Sequence, residues 1–155
     1  ISLKSVFTKS EVTAFDISEG ALKTAQSNSK LNNCDVIFQK VDILEPQYTD
    51  EKWDVIVSNP PYIPEAEKSE ILPNVIEFEP HTALFVPDTE PLLFYKAIAG
   101  FALEHLNNGG LLFFEIHRDF GQQTVQMLQT VGFVNIVLRK DLSGNDRMVR
   151  ATFLH

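Results

Sequence analysis

The chain has 155 residues, of which 44% are hydrophobic and 22% are charged, and this suits one globular domain with a single core. Its formal net charge of −8 at pH 7 argues against a nucleic-acid partner, because no basic cluster offsets it. The single cysteine, Cys34, excludes an internal disulfide and gives no metal-site spacing, and we interpret it as a small apolar residue at a helix–strand junction. No apolar run is long enough to span a membrane.

The chain opens with a predicted partial helix, a strand and a complete helix. Residues 1–7 carry apolar residues at helical spacing without a cap residue before them, as in the interior of a helix. Residues 11–15 form a predicted strand that ends at Asp16, and Ser18 is a suitable N-cap for the helix that follows. The residues predicted to form its apolar face are Ala21, Leu22, Ala25 and Leu31.

Two more strands lead to the most informative stretch of the sequence. Residues 36–38 form a strand followed closely by Asp42, and a polar loop covers residues 45–52. Trp53–Ser58 is the next strand, and its apolar run, Val55 to Val57, indicates burial. It leads directly into Asn59-Pro60-Pro61-Tyr62, where the prolines fix φ and remove two backbone donors.

The second half of the chain alternates helices and strands after an irregular start. Residues 63–88 are rich in proline and show no sustained periodicity, which predicts a long irregular loop. The predicted elements then run as follows: a helix over 92–105 stopped by Asn107–Gly110, a strand over 111–116, a helix over 120–131, a strand over 133–139, a turn over 143–146 and a last strand over 147–154. This alternation predicts a mostly parallel sheet with helices on both faces, and an antiparallel pair at the end.

The Asn59–Tyr62 loop is the first candidate for chemistry. In open α/β sheets, ligands bind beyond the carboxyl ends of the strands, which is where this loop lies. The Asn59 side-chain oxygen and the Pro60 carbonyl can accept both N–H bonds of a planar amino group, while Tyr62 packs against its plane. The alternative is that Pro-Pro simply ends a strand.

Acidic residues after the two preceding strands are the second candidates. A carboxylate at Asp16 can accept hydrogen bonds from ribose hydroxyls, although it can equally serve the start of the helix. Asp42 can accept from an adenine amino group, with a solvated loop residue as the alternative. Glu115 and His117 follow a later strand, and with one histidine and one carboxylate nearby we interpret them as the end of that strand rather than an acid–base or metal site.

Four segments together carry a family resemblance. They are residues 14–22, residues 53–63, residues 78–84 and residues 140–147. In these segments the chain resembles the catalytic domain of HemK/PrmC-type protein-(glutamine-N5) methyltransferases, which modify the glutamine of a Gly-Gly-Gln loop in peptide-chain release factors. DNA adenine methyltransferases share the Asn-Pro-Pro-Tyr loop, and the last two segments distinguish the chain from them.

The resemblance implies a Rossmann-like class I fold and a cytoplasmic enzyme without a membrane partner. The cofactor would be S-adenosylmethionine, with S-adenosylhomocysteine as product, and the protein substrate would be a peptide-chain release factor. The cofactor contacts implied are Asp16, Ile17, Asp42, Ile43 and Asn59. The catalytic and substrate-binding residues implied are Asn59, Pro60, Pro61 and Tyr62.

In that family a glycine-rich cofactor loop and the first central strand would precede Ile1. We therefore expect residues 1–155 to be an N-terminally truncated C-terminal methyltransferase domain, without the family's helical N-terminal domain. Loss of that strand would leave two strand edges exposed, which predicts impaired cofactor binding and self-association through those edges. Two alternatives remain, namely an adenine N6 methyltransferase acting on DNA or RNA and an inactive self-associating fragment.

Overall fold

The computed structural model describes residues 1–45 and 49–155, and the chain divides into two compact units, Ile1–Gln47 and Tyr48–His155. The first unit contains α1 (Ser2–Val6), β1 (Thr13–Asp16), α2 (Glu19–Leu31) and β2 (Ile37–Lys40). The second contains β3 (Trp53–Ser58), β4 (Ile63–Pro64), α3 (Pro73–Phe78), α4 (His81–Leu84), β5 (Phe85–Val86), α5 (Leu93–His105), β6 (Leu106–Glu115), α6 (Gly121–Thr130), β7 (Val134–Lys140) and β8 (Asp146–Thr152), with 3-10 turns at Glu65–Glu70 and Arg118–Phe120. Part of the predicted polar loop, residues 46–48, lies outside the described residues.

The first unit is a parallel strand pair with one long helix. β1 and β2 pair in parallel, with Asp16 opposite Lys40. Ser18 is the N-cap of α2, as predicted, because its hydroxyl accepts from the Ala21 backbone N–H at 3.2 Å. Cys34 is buried at the junction between α2 and β2, which confirms its predicted place.

The predicted apolar face of α2 is only partly correct. Leu22 is buried, but Leu31 is 80% exposed. The buried residue near the end of α2 is Ser29, whose hydroxyl donates to the Cys34 carbonyl oxygen. A hydrogen bond to the chain just beyond the helix therefore replaces the expected apolar contact.

The second unit is built on a four-stranded sheet in the order β3-β6-β8-β7. β3 and β6 are parallel, and β8 is antiparallel to both β6 and β7. The predicted antiparallel pair at the end of the chain is confirmed. The last strand, however, lies between β6 and β7, since the hairpin turn brings β8 back along β7 and its other edge pairs with β6.

The core of the second unit lies on one face of this sheet. Leu112 and Phe114 alternate along β6, and their partners on β8 are Ala151 and Val149. All four are at most 2% exposed. Alternate residues of a strand point to the same face, so these four form one apolar surface. The residues of α5 and α6 that are buried with it are Tyr95, Ile98, Ala99, Ala102 and Leu128.

The structure corrects the predicted role of residues 107–110. α5 ends at His105, as expected, but β6 begins at Leu106, before the predicted strand start at residue 111, and includes the residues predicted only to stop the helix. The Gly109 N–H donates to the Phe153 carbonyl at 2.8 Å, and the Phe153 N–H donates to the Gly110 carbonyl at 2.9 Å. Gly109 has a φ of 82°, which suits the bulge that these residues form opposite β3.

The prediction of an irregular loop over residues 63–88 is also wrong. The stretch contains short elements, in which β4 and β5 pair in parallel, α3 begins with a proline and α4 follows one. Pro73 is the first residue of α3, where a missing N–H costs nothing, and Pro80 directly precedes α4. Elements of two to six residues are too short to show a hydrophobic period.

β3 is a strand, as predicted, but its apolar run is not buried. Val55 is 48% exposed and Val57 is 53% exposed. Among the described residues, β3 pairs only with β6 and β1 only with β2, so each has one edge without a strand partner. None of the helices in the described ranges has both the length and the apolar character needed to cross a bilayer.

Candidate active site

The Asn59–Tyr62 loop begins at the carboxyl end of β3, beside the end of β6. Because Ser58 pairs with Phe114 in parallel register, the next residues, Asn59 and Glu115, follow at neighbouring positions. Asn59 is exposed and Pro60 is buried. The loop thus presents an amide side chain to solvent from a backbone that two prolines make stiff.

Tyr62 is held at both its backbone and its ring. Its backbone N–H donates to the Leu84 carbonyl at 3.2 Å, and its hydroxyl donates to Glu115 Oε1 at 3.3 Å. The His117 ring lies edge-on to it, with 6.0 Å between ring centroids. Burial raises the pKa of the Tyr62 hydroxyl, the Glu115 carboxylate raises it further, and the Arg147 guanidinium opposes the shift. This tyrosine is therefore a neutral donor at physiological pH.

Arg147 is itself fixed by two acceptors. Its Nε donates to Asp141 Oδ2 at 3.3 Å, and a terminal nitrogen donates to the Ile116 carbonyl at 3.4 Å. Asp141 also accepts from the backbone N–H groups of Ser143 and Asn145, at 2.9 Å and 3.0 Å. The Asn145 N–H is the main cause of the lowered pKa of Asp141, and the Arg147 hydrogen bond adds to it. The β7–β8 turn thus carries an ionised carboxylate that orients Arg147.

Behind the loop, Tyr95 joins α5 to the end of β6. Its hydroxyl donates to the Glu115 carbonyl at 3.3 Å and accepts from the His117 backbone N–H at 3.3 Å. Tyr95 is fully buried, and that burial raises the pKa of its hydroxyl. Both hydrogen bonds fix the backbone from which the Glu115 and His117 side chains project.

His117 connects the end of β6 to the 3-10 turn at Glu65–Glu70. Its Nδ1 accepts from the Asp119 backbone N–H at 3.2 Å, which makes Nε2 the donor to Glu67 Oε2 at 3.0 Å. Glu67, His117 and Asp119 lie close enough together to resemble a metal-ligand group. Because both ring nitrogens of His117 are engaged within the protein, hydrogen bonding already accounts for this arrangement.

In the first unit, the structure brings Asp16 and Asp42 to the same end of the strand pair. The Val41 N–H donates to the Asp16 carbonyl at 3.1 Å, which joins the two strand ends. Asp16 Oδ1 accepts from the Ser18 N–H at 2.8 Å, and Asp42 Oδ1 accepts from the Leu44 N–H at 3.0 Å. A carboxylate has about four acceptor positions, so one backbone N–H does not saturate it. Of the neighbouring residues implied for cofactor binding, Ile17 is 54% exposed and Ile43 is half-buried.

Sequence reasoning missed the residues that surround Tyr62. The pair Glu115 and His117 was interpreted as the end of a strand, and Arg147 as part of a family-like segment only. The available signal was topological, since Glu115 ends a strand that runs parallel to the one ending in Ser58. Neither the spacing of these residues nor their types could show that β6 and β3 are neighbours.

Solved structures define the class of fold. A methyltransferase from Pyrococcus furiosus has a TM-score of 0.68 at 17% identity, with 99% of this chain and 68% of that chain covered. A SAM-dependent O-methyltransferase from Thermotoga maritima has a TM-score of 0.64 at 18% identity, with 97% of this chain and 52% of that chain covered. The fold is that of class I S-adenosylmethionine-dependent methyltransferases, as predicted.

The sequence comparisons then give the family. The model of the methyltransferase small domain matches residues 1–81, and the chain belongs to that family. It is 46% identical over 153 residues to the release factor glutamine methyltransferase of Flavobacterium psychrophilum, covering 99% of this chain and 54% of that protein. The enzyme of the same name from Bacteroides thetaiotaomicron is 40% identical over 152 residues, covering 97% of this chain and 55% of that protein. The predicted resemblance is confirmed, and the chain spans about half the length of the curated relatives it matches.

Proposed function

We propose that the protein transfers a methyl group from S-adenosylmethionine to the side-chain amide nitrogen of the Gly-Gly-Gln glutamine in a peptide-chain release factor. One observation carries the proposal: a rigid Asn59–Tyr62 loop at the end of β3 offers two oxygen acceptors beside an aromatic ring that Glu115 holds. The relatives named for this activity support the choice of substrate. We expect the reaction to take place in the cytoplasm.

The loop would act by orienting a poor nucleophile. An amide nitrogen attacks weakly because its lone pair is delocalised. The Asn59 side-chain oxygen and the Pro60 carbonyl would accept its two N–H bonds, and Tyr62 would pack against the amide plane. Preorganised acceptors of this kind favour the geometry of the transition state. The nitrogen would gain the methyl carbon as the bond between that carbon and the sulfonium sulfur breaks, which leaves S-adenosylhomocysteine. It would lose one proton to solvent, so that an N–H bond is replaced by an N–CH₃ bond.

The first unit would hold the cofactor. Bound S-adenosylmethionine supplies a sulfonium methyl group, which is already an activated electrophile, so the protein mainly has to align the attack. Asp16 would accept from the ribose hydroxyls and Asp42 from the adenine amino group, with Ile17 and Ile43 beside them. The acceptor chemistry fits, because both carboxylates lie at one end of parallel strands.

The test is methyl transfer by the protein as its gene encodes it, with a release factor and methyl-labelled S-adenosylmethionine. The label should enter the Gly-Gly-Gln glutamine, and a release factor with alanine there should stay unlabelled. Asn59→Ala should lower kcat by about 10²–10³-fold, the scale for loss of one preorganised polar group. Asn108→Ala is the control, since Asn108 lies near the start of β6, at the opposite end from Glu115.

A wild-type protein that leaves the release factor unlabelled but labels adenine in DNA or RNA would overturn the proposal. Equal losses in Asn59→Ala and Asn108→Ala would overturn the role assigned to the loop. The same labelling assay measures both outcomes, in separate reactions with the release factor and with DNA or RNA.

A further inference from the structure

The ring of Tyr62 is more constrained than packing against a substrate would require. Its hydroxyl donates to Glu115 from the end of the neighbouring strand, 53 residues away in sequence. The guanidinium of Arg147, from the start of β8, donates to the Ile116 carbonyl, one residue beyond Glu115, and it opposes the rise in the pKa of the Tyr62 hydroxyl. The rings of Tyr62 and His117 form a T-shaped contact. Two separate segments, the end of β6 and the start of β8, therefore lie around one side chain of the loop.

We propose that Glu115 and Arg147 are positioning residues, which fix the plane of the Tyr62 ring so that the planar amide of the substrate lies against it in the reactive orientation. The proposal deepens the function proposed above and rests on it. Neither residue needs to touch the substrate. Glu115 acts by accepting the hydrogen bond of the Tyr62 hydroxyl, and Arg147 acts by holding the Ile116 carbonyl beside Glu115.

Arg147 suits this task because its own orientation is determined by two acceptors. Its Nε and one terminal nitrogen bind Asp141 and the Ile116 carbonyl in different directions. A guanidinium presents several donors in a fixed plane, whereas a lysine ammonium is a point charge on a flexible stem. Asp141 is held by the β7–β8 turn, and its hydrogen bond therefore fixes the orientation of Arg147. Lysine would keep the charge and lose this geometry.

The backbone beneath Glu115 is equally fixed. The buried Tyr95 hydroxyl joins the Glu115 carbonyl to the His117 N–H. Glu115 therefore projects from a position that the core of the second unit determines. An aromatic ring on a loop would otherwise rotate among staggered side-chain conformations, only one of which presents its face to the substrate.

A double-mutant cycle on the protein as its gene encodes it tests the proposal. The variants are Tyr62→Phe, Glu115→Gln and the double variant, each assayed for release-factor methylation. Each single change should lower kcat about tenfold and change KM less than twofold, since small misplacements of a reacting group are costly. The double variant should be no slower than Tyr62→Phe alone, because Glu115 has no hydroxyl left to hold. If the loss of kcat in the double variant equals the product of the two single losses, the proposal is wrong.

Two controls separate positioning from a general structural role. Glu104→Gln changes an exposed glutamate of the same unit and should leave kcat unchanged. Arg147→Lys should recover less than half of the activity that Arg147→Ala loses, because the charge alone does not restore the hydrogen bonds to Asp141 and the Ile116 carbonyl. Full recovery by lysine would overturn the part assigned to Arg147.

A spectroscopic readout addresses the contact without any substrate. The absorbance of the wild type and of Tyr62→Phe is followed to high pH, and the difference between the two curves gives the titration of Tyr62. Its pKa should fall in Glu115→Gln, since the carboxylate contributes to raising it. An unchanged titration would overturn the contact on which the proposal depends. If the wild type labels no release factor, both the proposed function and the positioning proposal are wrong. If the wild type is active but the double variant loses the product of the two single losses in kcat, only the positioning proposal is wrong.

Discussion

The two units hold in different ways the carboxylates that we propose to be functional. In the first unit, Asp16 and Asp42 each bind a backbone N–H two residues further along the chain. In the second, Glu115 binds the hydroxyl of Tyr62, which comes from a different strand end. A turn of three residues forms from local sequence alone, whereas a contact between distant segments requires a sheet and a core. The first type of residue can be found by pattern, and the second cannot.

The two units also differ in how many apolar side chains they bury. In the first unit, Leu22 and Cys34 are the buried apolar residues among those described, while Ile17 and Ile37 are 54% and 44% exposed. The second unit buries complete side chains from α5, α6, β6 and β8. Because stability follows the apolar area removed from water, we expect the second unit to resist unfolding more strongly than the first.

The largest expected effect comes from the core of the second unit. Leu112→Ala removes a fully buried side chain and should lower the free energy of unfolding by about 2–5 kcal/mol. Leu22→Ala in the first unit should cost less, because few buried neighbours surround it. Urea unfolding measures both changes, and hydrogen exchange should show stronger protection in β6 and β8 than in α2. Equal costs would remove the contrast between the units.

The next effect concerns cofactor affinity. Asp16→Asn should raise the dissociation constant for S-adenosylmethionine about 10–100-fold, as expected for loss of a charged acceptor worth about 1.5–3 kcal/mol. The asparagine oxygen can still accept from Ser18, so the start of α2 should persist and the melting temperature should change little. Calorimetric titration checks the affinity. Asp35→Asn, an exposed aspartate of the same unit, is the matched control, and an equal loss there would contradict the assignment.

A smaller effect is expected at Asp141, and it depends on pH. Its pKa is lowered in the folded protein, so its contribution to stability is complete above the ordinary aspartate pKa of about 3.9 and is lost as the pH falls through the lower folded value. Asp141→Asn should therefore be less stable than the wild type at neutral pH, and the difference should shrink in strong acid. Thermal unfolding across pH measures this. A difference that grows in acid would contradict the sign.

The smallest effect is expected at an exposed ion pair of the first unit. Lys40 Nζ lies 2.8 Å from Glu19 Oε1, and the hydrogen bond and charge of Lys40 lower the pKa of Glu19. Both side chains are more than half exposed, so solvent and salt screen the interaction. Lys40→Met should leave the unfolding midpoint unchanged within error at physiological salt. A clear loss would show that this unit depends on its surface charges.

Several features could be determined from the sequence alone because their causes are local. The helix start at Ser18, the burial of Cys34 and the strand leading to Asn59 all follow from caps, apolar runs and proline stereochemistry within a few residues. The carboxylates Asp16 and Asp42 were found in the same way, from their places after strands. The family resemblance added their expected roles.

Only the tertiary structure decided which distant segments meet. The place of β8 between β6 and β7, the bulge at residues 107–110 and the exposure of Val55 all depend on which strand edges find partners. The contact of Glu115 with Tyr62 depends on the same choice, because parallel pairing of β3 and β6 brings their carboxyl ends together. The turn or cap that a residue forms depends on its neighbours along the chain, whereas its neighbours across the sheet depend on the packing of the whole unit.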